Sequence, residues 1–151
     1  MNIQKQLKEI ENSFPYAKKQ NNKISAVSVG WQLNHCLEVI NSVTKVIPTT
    51  NPKQYKPHFN FAKVFVLLTG YIPRGKGKAP NLLNKKDNLE LDILETALTI
   101  AKSKINSLNA LDQNHYFKHP YFGHLNIPKA KRFLTIHTEH HLKIVRDILK
   151  K

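Results

Sequence analysis

Two histidines near the C-terminus sit where an imidazole is least at home. The stretch Ile136-His137-Thr138-Glu139-His140-His141-Leu142 lies inside a run of apolar residues at helical spacing. His137 and His141 are four apart, so on a helix they project from one face, a turn from each other. Counted around the axis from Phe133 at ~100° per residue, Phe133, Ile144, His137, Ile148, His141, Leu134 and Val145 share an arc of ~120°, with the two imidazoles at ~40° and ~80°. A core helix normally carries leucine in the middle of such an arc. A shared metal ion is the commonest chemical reason for two inward imidazoles on one turn. The alternative is a pair of hydrogen-bonded core rings, each needing two polar partners in a dry place. In the same projection His140 lies at about −20°, on the rim of the stripe, and Glu139 at ~240°, toward solvent.

A tightly held transition metal with room for water or substrate needs a third protein donor. His35 is the best candidate, on an arc with Trp31, Val39 and Val46. Glu38 follows His35 by three and reaches toward its second ring nitrogen, or else it is a surface carboxylate. Cys36 lies ~100° round the helix from His35 and reads as a small buried hydrophobe. His58, His115, His119 and His124 fall in expected loops. With ten Asp and Glu in the chain, carboxylate acid–base chemistry has few candidates, and none stands near the histidines as a general base. Water or a thiol activated on a metal is the chemistry these residue types suggest.

The elements that must position these donors are helical. Ile3, Leu7 and Ile10 predict a short first helix ended before Pro15. A long helix is predicted over residues 25–47, stopped by Pro48, with Ile24, Trp31, His35, Val39, Val43 and Val46 inward. Residues 59–71 are apolar enough for a fully buried third helix, closed by Gly70 and Pro73. The Gly- and Pro-punctuated loop 74–80 carries Arg74, Lys76 and Lys78, which suit an anionic substrate or else form a solvated connection. Asp87 and Glu90 resemble a capping box before a fourth helix, which carries Leu91, Leu94, Leu98 and Ile105 and fades near Asn109. Residues 112–126 form a second long loop, in which His119, Tyr121 and Phe122 make an aromatic turn over the pocket or against the next helix. Asn126 and Pro128 open the last helix, which runs to the C-terminus. The sum is a single all-α domain over residues 1–151, four substantial antiparallel helices plus a short N-terminal one.

The formal charge of +14 invites a nucleic-acid reading, but only three of the 24 basic residues are arginines (Arg74, Arg132, Arg146) and the lysines are scattered. No finger, zipper or aromatic RNA-binding signature accompanies them, so a solvated lysine-rich surface is the expectation and nucleic acid is not. The longest apolar run, residues 64–68, cannot cross a bilayer. The opening Met1-Asn2-Ile3-Gln4-Lys5 lacks a signal-peptide core, and one cysteine fits a reducing compartment, so a cytoplasmic protein without a membrane partner is expected.

Trp31-Gln32-Leu33-Asn34-His35-Cys36-Leu37, then Ile72-Pro73-Arg74, His119-Pro120-Tyr121-Phe122-Gly123 and His137-Thr138-Glu139-His140-His141-Leu142 together resemble the DinB/YfiT-like superfamily. Within it they are similar to a branch known only as a domain of unknown function. The resemblance spans positions ~25–150 in consistent order. It implies a four-helix bundle, often a homodimer, in which three histidines bind a divalent metal, usually nickel or zinc. It assigns ligation to His35, His137 and His141, the positions the helical projection selects. Some members use low-molecular-weight thiols, so the implied activity is a metal-dependent thiol S-transferase or hydrolase acting on a small molecule. His140, Glu38, Trp31, Arg74, His119 and Tyr121 are the candidates for the surrounding pocket. The competing readings are a non-catalytic metal-binding scaffold and a basic nucleic-acid-binding protein.

Overall fold

Helix starts and stops follow the local chemistry closely. A computed structural model describes residues 2–74 and 90–150 of the chain. Asn2 caps helix α1 (Ile3–Ser13) by accepting from the Gln4 backbone N–H, and Pro15 turns the chain into a single 3-10 turn. Ser28 caps α2 (Val29–Val46) through the Trp31 N–H, and Pro48 ends it in another 3-10 turn. Asn60 caps α3 (Phe61–Thr69), which Gly70 closes at φ 67°, a left-handed C-cap that favours glycine. Helix α4 is Leu91–Ser107 and helix α5 is Ile127–Leu149, with Pro128 in its first turn. Between them two short strands, β1 (Tyr116–His119) and β2 (Gly123–Asn126), pair antiparallel with Phe117 opposite Leu125.

The molecule is therefore mostly helical, with five α-helices and a small two-stranded sheet among the described residues. The hairpin corrects the all-α expectation for residues 112–126. Its strands are four residues each, below the length at which alternation stands out from a loop, and the turn depends on Gly123 at φ 69°. The long helix begins at Val29 rather than Ser25, because Ser28 takes the capping position. Asp87 and the loop residues 75–80 lie outside the described residues, so the capping box and the roles of Lys76 and Lys78 do too.

The core is one cluster. Helix α2 packs on α4 and α5, and α1 lies against α5, α4 and α2, so the first helix is part of the packed body. The buried side of α2 is Leu33, Cys36, Leu37, Ile40, Val43 and Thr44. Of the side predicted to face inward only Val43 is buried; Ile24 and Val46 are 40% and 47% exposed. Over residues 33–43 the apolar Leu33, Cys36, Leu37, Val39, Ile40 and Val43 share an arc of ~160°, and the expected side, drawn through His35 and Val39, follows the edge of that arc rather than its middle. On α5 the buried arc is centred on Leu134, Thr138, Leu142 and Val145, rotated by ~60° from the projected one, because Thr135 and Thr138 are buried as well. Thr135 makes its burial cheap by donating to the Lys131 carbonyl a turn back. Both histidine-bearing faces thus lie on the flank of the core, half-buried, rather than at its centre.

Helix α3 overturns a second expectation. It is nine residues long and buries only Lys63 and Val66, while Phe59, Phe61, Phe65, Leu68 and Tyr71 stand outward. Among the described residues its main packing partner is α5.

Candidate metal centre

Helices α2 and α5 bring three imidazoles together. Nitrogen atoms of His35, His137 and His141 all lie within 4.8 Å of one another, although His35 is about a hundred positions from the other two in sequence. The ring centroids are 5.1 Å apart for His35 and His137, 4.7 Å for His35 and His141, and 4.6 Å for His137 and His141. Imidazole–zinc bonds of ~2.1 Å put ligand nitrogens ~3.4 Å apart at the tetrahedral angle. The triad therefore has to close by at most ~1.4 Å, which small χ rotations supply.

The protonation states suit ligation. Burial lowers His137 to about 3, reinforced by His35, His140 and His119. Burial also takes His141 well below its ordinary value, with His137 and His35 adding to it. His35 is lowered by burial, while the charge of Glu38 pulls the other way. All three rings are neutral at pH 7, the form that binds metals. Among the described residues the Nδ1 of His35 is buried without a hydrogen-bond partner, as are Gln6 Oε1, Asn41 Oδ1, Asn126 Oδ1 and Thr138 Oγ1.

The neighbours of the triad are ordered. Trp31 stacks on His35 at 5.1 Å with 14° between planes, one helical turn apart, which gives the Trp-x-x-x-His spacing a physical use. His141 Nδ1 lies 2.5 Å from Gln32 Oε1. The direction of this bond follows from the chain behind it: Ser25 Oγ donates to the Val27 carbonyl and so accepts from Gln32 Nε2, which turns the amide oxygen toward His141. His141 must then donate from Nδ1, leaving Nε2 with its lone pair. Gln32, only 4% exposed, is a site residue that sequence reasoning missed. A buried amide on an apolar helix face, three residues before His35, was the available signal.

The other expected residues divide. Glu38 is half-buried and acts electrostatically on His35. His140 meets His141 edge-on at 5.1 Å and borders a cleft with Arg74. Burial lowers His140, as do the charges of Arg74 and Lys143, against a hydrogen bond to the Ile72 backbone. Arg74 is tied to Asp147 at 2.7 Å. His119 lies one ring removed from the centre: it packs on Phe133 at 4.8 Å, and Phe133 lies 5.6 Å from His137. Its Nδ1 accepts from the Tyr121 and Phe122 backbone N–H groups, and burial holds it neutral, at about 4. Tyr121 is 70% exposed and belongs to the turn rather than to the site. Glu139 corrects a further expectation: it faces α1, not solvent, bonded by Arg146 and Gln6. Cys36 is buried, and burial pushes its thiol up, away from nucleophilic use. Among the described residues no helix is long and apolar enough to cross a membrane.

Compared with family models, with curated proteins and with solved structures, the chain matches none.

Proposed function

We propose that the chain is a metal-dependent enzyme of the DinB/YfiT-like kind, a helical bundle in which His35, His137 and His141 hold one divalent ion, nickel or zinc. The observation that carries this reading is the convergence of three neutral imidazoles from two helices, with no carboxylate among them. A divalent ion on three neutral ligands keeps its full charge and supplies the Lewis acidity that makes a nucleophile of water or of a thiol at neutral pH. Hydrolysis and thiol S-transfer of a small molecule are the two reactions of that type.

The remaining residues have definite work in such a site. Gln32 fixes the tautomer and tilt of His141, as outer partners of metal-bound histidines generally do. Glu38 stabilises partial positive charge on the His35 ring. Trp31 covers the outer face of His35 and limits water there. His140, neutral and beside His141, is placed to hold or pass a proton at its ring nitrogen.

Elemental analysis tests the reading first: protein purified without chelator, then exposed to nickel or zinc, retains close to one ion per chain. Retention below about one ion in ten chains refutes it. A structural site would instead show its main effect in stability: His137→Ala then lowers the melting temperature and leaves any turnover alone. In the catalytic reading the same variant keeps its helical spectrum and loses activity in a thiol co-substrate screen. The homodimer that the resemblance implies is tested by sedimentation, and the lysine surface by DNA binding at low salt.

A further inference from the structure

Beside the triad, on the side of His140, lies a cleft of about 640 Å³ bounded by Gly70, Tyr71, Ile72, Pro73, Arg74, His140 and Lys143. Its make-up is lopsided in a way that points to a ligand. One wall is apolar, from Tyr71, Ile72 and Pro73, and the other carries the cationic side chains of Arg74 and Lys143, with no carboxylate among the described lining residues. Charge compensation from outside is thin. Asp147 is shared between Arg74 at 2.7 Å and Lys150 at 2.9 Å. Among the described residues no carboxylate oxygen lies within ion-pair distance of Lys143. Glu139, one turn before it on α5, is engaged by Arg146 and Gln6. Arg74 is anchored by its ion pair, so a guanidinium edge is held at the mouth rather than swinging in solvent.

We propose that this cleft is the substrate-binding pocket of the metal centre and that it takes a small organic anion: a carboxylate or phosphate end between Arg74 and Lys143, and an apolar body against Tyr71, Ile72 and Pro73. The assignment of substrate class rests on the metal reading, since it places the reacting part of the molecule beside His140 and His141. Binding of the anion does not depend on it. Lysine and arginine at a concave surface, next to low-dielectric walls, hold an anionic group more firmly than the same residues on a convex one.

The test is calorimetric titration of the zinc-loaded full chain with phenylphosphonate, against benzyl alcohol as the uncharged counterpart. Phenylphosphonate binds and benzyl alcohol does not. Lys143→Glu weakens the phosphonate by ~10-fold or more, Lys143→Arg stays within about threefold, and both keep the zinc content of the parent. Lys143 is exposed, so neither substitution disturbs the core. Arg74→Met provides a second reading of the same pocket. Equal affinity in Lys143→Glu and the parent overturns the proposal, because the phosphonate is then bound to zinc alone or to other lysines. Binding of benzyl alcohol as tight as that of the phosphonate overturns it as well, and so does the absence of heat up to ~10 mM. The two readings fail separately. A chain that keeps zinc but ignores phenylphosphonate loses only the pocket assignment. A chain that holds no zinc yet binds phenylphosphonate through Lys143 loses only the metal.

Discussion

Gln32→Leu offers the sharpest probe of the site, because it removes the hydrogen bonds to His141 and Ser25 with almost no change in volume. In the parent, Gln32 Oε1 receives the His141 Nδ1 proton at 2.5 Å, and its amide is held by Ser25 Oγ at 3.1 Å. Leucine removes the acceptor and leaves an imidazole N–H half-buried without a partner, a loss of about 1–3 kcal/mol. The ring escapes part of that cost by moving its proton to Nε2, the atom that should carry the lone pair for the ion. Loss of such an outer partner lowers metal affinity by ~10–100-fold, or about 1.4–2.7 kcal/mol. Competition against a chromophoric zinc chelator measures it directly, with circular dichroism to confirm an intact fold. Gln32→Glu keeps an acceptor and strengthens it, so affinity is retained or rises. A leucine variant whose zinc Kd stays within about twofold of the parent refutes the relay from Ser25 through Gln32 to His141.

Other outcomes follow from the same geometry. Zinc at about a hundred times its Kd raises the unfolding free energy of the parent by about 2.7 kcal/mol and that of His137→Ala far less, read from urea midpoints. The metal-free protein loses stability as pH falls: His137 stays neutral in the fold to about 3 but protonates near 6.5 once unfolded, so the unfolded state gains protons first. The urea midpoint should therefore drop between pH 7 and 5, and a flat or rising midpoint contradicts the buried neutral imidazole. Arg146→Met breaks two ion pairs with Glu9 and Glu139, all partly solvated, and costs about 1–2 kcal/mol in thermal melts. Leu37→Ala, at a fully buried position, costs about 2–5 kcal/mol, while Val46→Ala, half exposed, costs under about 1 kcal/mol.

The site was more legible in the sequence than the packing was. Spacing alone selects His137 and His141, and Trp31 with His35 is recognisable as a one-turn pair, because helical periodicity fixes which side chains can meet. The burial phase was misread. Drawing the inward side of α2 through Trp31, His35, Val39 and Val46 passed over Leu33, Leu37 and Ile40, and counting only apolar residues turned α5 toward Ile144, whereas the structure also buries Gln32 and Thr135. Polar groups that bond locally or to each other are invisible to an apolar count. Gln32 was missed for that reason, and Glu139 was sent to solvent although Arg146 and Gln6 await it on the other flank. Helix α3 misled in the opposite sense, since a run of Phe, Val and Leu says nothing about whether a neighbour is there to cover it.

Helix α2 carries its two duties on separate longitudes. Leu33, Leu37 and Ile40 face the interior, and Trp31, His35 and Glu38 ride the flank, so few positions serve both. Residues along that flank can be exchanged while the inward row keeps the scaffold standing. Directed-evolution libraries confined to positions 31, 34, 38 and 39 should consequently yield mostly folded clones that keep the histidine triad.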